Sequence, residues 1–353
     1  MVVFMTNKFY SIAALFLTMT FSALSNAALG NYKIILIHGF QASQLQTKPT
    51  KLEVEADGDL YWQEFWSQYA DARIDWPSHE RIEGKISSDY VWPKLKELSQ
   101  NSTCQTGCIL VTHSTGDLVA RYLLENQENW LANAGLNPLN IVASFDFAGA
   151  GGGTELADIV INITEGSNWY DSAMNYAISL WLGEKPSKET TGVLNDLKVS
   201  NARQIAMLPD NRVPRIRFVG NGTDFLQATS GFLPGKDDGV VAIHSSCGSA
   251  SSGEFESCFY NLSMNGEVRE QSKAVTNLLP NHYPLIMGDG YSHGGTVGAK
   301  HQGPVTSGTT SAPLLDGKTL KVDTYQESGW FGSKYLYVQN SEQKTMSEIA
   351  SQL

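Results

Sequence analysis

Apolar positions along the chain fall into two rhythms. Continuous apolar runs near residues 34–38, 109–112, 141–147, 216–220 and 283–288, with a shorter one near 72–76, read as strands buried on both faces. Between them lie segments with helical spacing, such as 91–98, 117–125 and 193–205. Strand–helix alternation with apolar strands predicts an α/β chain built on a mostly parallel, doubly wound sheet covered by helices. After His301 the chain turns rich in Gly, Ser and Thr, and a last strand or helix is expected there.

Two apolar stretches do not belong to that core pattern. Lys8 followed by an apolar stretch from Ile12 to Leu24 and then Ser25-Asn26-Ala27 has the layout of a signal peptide cut after Ala27. Residues 1–27 are therefore set aside, and 28–353 are expected to form a single domain in an exported protein, secreted or periplasmic. The second stretch runs from Leu156 to Gly183 and carries Trp169, Tyr170 and Trp181 among aliphatics. Polar residues interrupt it too often for a membrane span, so the mature chain is expected to have none.

Composition narrows the function. With 353 residues, 42% of them hydrophobic, the chain can bury a large core of its own. No repeat or linker divides it. Removing residues 1–27 takes away one Lys and no acid, leaving 24 basic against 36 acidic residues, a net charge of −12. That balance excludes the electrostatic footprint of a nucleic-acid binder. No Cys/His cluster has zinc spacing. Four cysteines in an exported chain suggest two disulfides. The local pairing, one of three connectivities, is Cys104–Cys108 with Cys247–Cys258, the second closing a loop just after residue 242.

The chemistry concentrates where strands end. Ile109 to Val111 leads through Thr112-His113-Ser114-Thr115-Gly116 into a helical pattern at Leu118, Val119, Tyr122 and Leu123. A strand–turn–helix of this kind pushes a serine hydroxyl above the sheet edge, and small neighbours let strand and helix approach. Gly116 meets that need, while Thr112 stands where the G-x-S-x-G pattern has its first Gly. An ordinary βα turn with a capping Ser or Thr reads the same way locally. Earlier, the run Lys33 to Ile37 ends in His38-Gly39-Phe40.

A strand ending in His-Gly-Phe, followed later by a strand ending in His-Ser-x-Gly, resembles the α/β-hydrolase fold, and within it the secreted bacterial lipases and esterases. The match runs from His38 through Ser114 to Leu208 and weakens beyond. The resemblance implies a Ser-His-Asp triad, an oxyanion hole made by the backbone N–H groups of Phe40 and Thr115, and a helical lid or cap inserted at 155–212. His38 is then a structural histidine that orients its loop.

In this fold the order is serine, acid, histidine. Of seven histidines, His38, His79 and His113 fail on order, leaving His244, His282, His293 and His301. His293 follows the best late apolar run, Tyr283 to Gly288, on a Gly-rich loop, and is the chosen base. His282 precedes that run and is the runner-up, with His301 behind it. Lys236-Asp237-Asp238-Gly239-Val240-Val241 resembles the Asn-Asp-Gly-Val-Val segment of bacterial lipases, which places the acid at Asp238. Asp224 is the alternative, and the segment also reads as a plain turn. The Gly-rich stretch 149–153 lacks the lysine and spacing of a phosphate loop. The segment 156–183 is either a lid that opens at a lipid surface or an insertion packed permanently on the core. The expected activity is ester hydrolysis on a lipid or other ester substrate, lipase or phospholipase, with an inactive binding protein as the competing class. No cofactor is expected. The aspartate that many of these lipases place two residues after the histidine, as a calcium ligand, is missing after both His293 and His282.

Overall fold

The computed structural model describes residues 29–30, 32–166, 172–184, 186–206, 213–249, 257–259, 262–263 and 282–353. The proposed signal peptide, Trp169 and Tyr170 lie outside the described residues. Nine strands form the central sheet: β1 (Lys33–Ile37), β2 (Ala72–Ile74), β3 (Cys108–His113), β4 (Ile141–Phe147), β5 (Arg215–Gly220), β6 (His282–Gly288), β7 (Val305–Ser307), β8 (Thr324–Ser328) and β9 (Lys334–Val338). Their order across the sheet is β8-β9-β7-β6-β5-β4-β3-β1-β2. The six strands from β6 to β2 are parallel. The three beyond them, β7, β9 and β8, are antiparallel.

Alternation along each strand divides the core in two. Ile35 and Ile37 of β1, with Leu110 of β3, pack against α2 (Trp92–Gln100), α3 (Gly116–Asn133) and α4 (Glu155–Thr164). Ile34 and Leu36, with Val111, Phe145, Phe147 and Phe218, pack on the other face with Trp62 at the end of α1 (Lys51–Trp62), Trp66, and α6 (Met346–Ser351). A capping box at Thr50 and Glu53 starts α1. No described helix is long and apolar enough to cross a membrane.

All six expected strands are present. The helix expected over 193–205 is not. In its place stand a 3₁₀ turn at Gly192–Leu194 and one helical turn at Val199–Ala202. The run is broken at Lys198, whose backbone is extended (φ −56°, ψ 136°), and the Leu197 carbonyl accepts the Thr154 N–H (2.9 Å) instead of a helical donor. The C-terminal segment holds more order than its composition suggested: β7, β8, β9, α6 and a two-stranded hairpin over 311–321. Cys104 and Cys108 are disulfide-bonded. Cys247 is also disulfide-bonded, and the side chain of its expected partner, Cys258, falls outside the described residues.

Charged residues interrupt the apolar strands at Asp146, Arg215 and Arg217, and all three are fully buried. Arg215 bridges Asp117 (2.6 Å) at the start of α3 and Asp146 (2.9 Å) on β4. Arg217 bonds the other Asp117 oxygen at 2.5 Å. Thr112 and Ser144 hydroxyls donate to Asp146. Burial alone would raise the Asp117 carboxyl, but Arg217, Arg215 and Arg121 draw it down to about 2. Removing one partner of such a cluster strands a buried charge. Arg215→Met should therefore lower unfolding free energy by about 3–5 kcal/mol, read by denaturant titration at neutral pH.

A second buried group sets an acid limit on the fold. His38, at the end of β1, stacks on Trp76 (centroids 5.0 Å apart), donates from Nδ1 to its own loop at the Gly39 carbonyl, and accepts the Trp76 backbone N–H on Nε2. Burial, partly offset by the Gly39 hydrogen bond, lowers its pKa from 6.5 to about 4. The unfolded chain therefore takes up a proton that the folded chain refuses within that window. This stability is complete above pH 6.5 and drains away as pH falls toward 4. Denaturant titrations at neutral pH and at about pH 4.5 should show a loss of roughly 2–3 kcal/mol that His38→Gln does not share, over the carboxylate titration common to both.

Candidate active site

The parallel strands end along one edge, and four of the loops leaving that edge, after β1, β3, β5 and β6, carry the candidate residues. Ser114 sits between β3 and α3 at φ +55°. An L-residue adopts that conformation only when its surroundings hold it there. Here the Ser114 N–H donates to the Phe147 carbonyl (3.0 Å), and its carbonyl accepts from Ala150 (2.9 Å) and Asp117 (3.2 Å). Gly116 is needed next to it. A Cβ there would lie 2.3 Å from the Ile37 carbonyl oxygen, so α3 can start this close to β1 only at glycine. Gly39 is squeezed in the same way, since its Cβ would meet Ser114 Cβ at 2.7 Å. Thr112, the departure from the glycine pattern, points down into the Asp146 cluster and takes no part in the turn's tight contact.

The acid loop follows β5. Asp238 is fully buried. One of its oxygens accepts the Val240 (3.0 Å) and Val241 (2.7 Å) N–H groups, and the other meets His293 Nδ1 at 2.8 Å. Asp237 folds back on its own turn, accepting Gly239 N–H and the Ser230 hydroxyl. Gly239 has φ +95°, which the turn requires. His293 lies on the loop after β6, and its backbone N–H donates to the Asp238 carbonyl at 2.7 Å. With the carboxylate on Nδ1–H, Nε2 is left with its lone pair. Ser114 and His293 line the same cavity, of about 290 Å³, without a hydrogen bond between them among the described residues. Ligand-free sites often hold such pairs apart until substrate arrives.

The other candidates are elsewhere. His282 opens β6 opposite Arg215 in the register, at the far end of the strand from this edge. His301 packs edge-on against Tyr291. His244 is bonded to Glu155 (2.8 Å) and Arg203 (2.7 Å). Asp224 lines the cavity, but among the described residues its carboxylate accepts only the Gly294 N–H, at 3.2 Å. The Phe40 and Thr115 N–H groups flank the serine, and neither donates to an acceptor among the described residues. The 149–153 loop is shaped by what lies beneath it: a Cβ at Gly149 would come 2.3 Å from Arg217 Nη1, and one at Gly151 2.6 Å from Arg217 Nη2.

The rest of the cavity is apolar, lined by Ala42, Trp181, Leu197, Phe225, Val240 and Val241 among others. Trp181 comes from α5 (Ser172–Leu182), whose Ala177, Ile178 and Leu182 are also buried, and packs at a tilt against Phe40 with centroids 5.6 Å apart. Two features escaped the sequence reading. The ionic cluster was signalled by charges inside apolar strand runs, which the strand assignments passed over. Tyr61, which lines the cavity from α1, had no local signal.

No protein-family model and no curated protein matches the chain. Solved structures do. A mature lipase of Bacillus licheniformis is 19% identical over 61% of this chain and 78% of its own, with TM-score 0.39. A Staphylococcus hyicus lipase is 12% identical over 76% and 89%, with TM-score 0.43. A phospholipase of Legionella pneumophila is 16% identical over 62% of this chain and 45% of its own, with TM-score 0.40. At such similarity the topology itself must carry the assignment. The parallel sheet, the strained turn after β3, and the acid and histidine loops after β5 and β6 give this chain the α/β-hydrolase fold.

Proposed function

We propose that the chain hydrolyses carboxylic esters through Ser114, His293 and Asp238. The observation that carries this reading is the 2.8 Å contact of His293 with buried Asp238 at the wall of the cavity that Ser114 enters. His293 Nε2 takes the Ser114 proton as the hydroxyl attacks the ester carbonyl. Asp238 holds the tautomer and balances the imidazolium. The Phe40 and Thr115 N–H groups, uncommitted and beside the start of α3, receive the oxyanion. The alcohol leaves with the proton from His293, and water, activated by the same nitrogen, releases the acid. No step needs a metal or an organic cofactor.

The cavity suits an apolar acyl chain of modest size. Among the described residues lining it, Asp224 is the only carboxylate and none is Lys or Arg, so no side-chain cation there would attract a phosphate. That favours a neutral ester, as in a lipase or esterase, over a phospholipid. Export after cleavage at Ala27 and a single domain with 155–212 as its cap belong to the same proposal. Ser114→Ala should lose labelling by a fluorophosphonate and all measurable hydrolysis of p-nitrophenyl esters. His293→Ala should lower turnover by about 10⁴-fold or more, and His282→Ala far less. Near wild-type turnover in Ser114→Ala would sink the reading, and wild-type protein that neither labels nor turns over ester would leave a binding protein.

We further propose that α5 is a lid. Trp181 closes the cavity against Phe40, and the outer side of the same helix exposes Tyr176. Opening would present apolar surface to a lipid phase. Activity on a partly soluble ester should then rise steeply past the solubility limit, and Trp181→Ser should flatten that rise while sparing a short soluble ester. A smooth hyperbolic response through the limit would leave α5 a fixed cap.

A further inference from the structure

One buried histidine beside the site has no part in the reaction just proposed. His113 ends β3, immediately before Ser114, and is almost wholly buried. Its ring lies between Tyr61 and His293, with centroids 5.7 Å and 4.7 Å away. Nε2 meets the backbone carbonyl of His293 at 3.0 Å, and Nδ1 is hydrogen-bonded to the Tyr61 hydroxyl. A carbonyl only accepts, so Nε2 carries the proton and Nδ1 accepts from the phenol. The Tyr61 oxygen also lies against Gly39, the residue before Phe40. The chain of contacts therefore touches all three parts of the site: the loop of the oxyanion donor, the turn of the nucleophile and the loop of the base.

We propose that His113, held as its Nε2–H tautomer by Tyr61, is a positioning residue that sets the base loop against the nucleophile. This rests on the ester-hydrolase reading. The His293 backbone is already tied on its other side, through its N–H to Asp238. The His113 donor ties its carbonyl, together with the Thr296 hydroxyl at 2.9 Å. Only rotation of the imidazole about its own bonds is then left, and Asp238 restricts that. Neutrality is part of the arrangement. Burial, and then the neighbouring His293, hold the His113 pKa well below the usual histidine range, and burial keeps the Tyr61 phenol protonated. A cation at this place would oppose the imidazolium that forms on His293 during attack.

The test uses the full mature chain with His113→Leu, His113→Gln and Tyr61→Phe. The Gln amide can supply the same donor to the His293 carbonyl; Leu cannot. Turnover of p-nitrophenyl butyrate, fluorophosphonate labelling rate and thermal unfolding midpoint are measured for each. His113→Leu should lower kcat by roughly 30–100-fold with KM within about twofold, the size expected when a reacting group is misplaced by about 1 Å. His113→Gln should recover most of that loss, and Tyr61→Phe should fall about 3–10-fold without changing the bulk of the site. Labelling rates should follow kcat. An unchanged kcat in His113→Leu overturns the proposal, and so does a Gln variant no better than Leu at an equal unfolding midpoint. Should His113→Leu fail to fold, an unchanged kcat in Tyr61→Phe overturns it instead. Wild-type protein that neither labels nor turns over ester overturns the hydrolase reading and this inference together; active wild type with indifferent variants overturns this inference alone.

Discussion

The architecture depends on a buried set of charges. Asp117, Asp146, Arg121, Arg215 and Arg217 are all out of water, and none is tolerable there alone. Arg215 can satisfy both aspartates only if β4, β5 and the first turn of α3 sit in this one register. The strained turn at Ser114 hangs from the same parts: its N–H bonds the end of β4, and its carbonyl receives the Asp117 N–H. The cluster thus holds the serine in its left-handed conformation from below, where an apolar core would allow neighbouring arrangements of similar energy. Thr112 belongs to this foundation, which is why a residue larger than glycine is accommodated before the serine.

The same partition of charge prepares the space above. The two aspartates below the serine are both paired with arginines, so neither carboxylate is free to bind a histidine. Asp238 is left as the carboxylate in contact with His293. The remaining histidines around the serine, His38 and His113, are kept neutral by burial. The His293 imidazole therefore meets a buried carboxylate on one side, with neutral histidines behind it.

The cavity and its cover are built from a different principle. Apolar side chains from α5, Leu197 and the loop after β5 converge on the serine, and α5 buries Ala177, Ile178, Trp181 and Leu182. The contrast with the ionic base is physical. Hydrogen-bonded charges resist small displacements, whereas an apolar helix can exchange one apolar environment for another at little cost. The ionic cluster and the apolar wall of the cavity are segregated within one fold.

The sequence by itself determined the parallel sheet, because continuous apolar runs leave few alternatives to strands buried on both faces. It also determined the turn at Ser114, since strand, small residue and helix must follow one another within a few positions. The Asp238 turn and the Cys104–Cys108 bond were legible for the same local reason. What lay beyond it were matters of register and distance. The choice between His282 and His293 turned on which end of β6 faces the serine, and only strand pairing decides that. The helical spacing over 193–205 gave no sign that Lys198 is extended and that the Leu197 carbonyl is taken by Thr154. His113 was set aside for preceding the acid in the chain, yet the fold places it between the nucleophile and the base loop. Asp146, Arg215 and Arg217 stood in plain view inside apolar runs, but a charge is tolerated in a strand only when its partner comes from elsewhere, and that partner is supplied by tertiary structure alone.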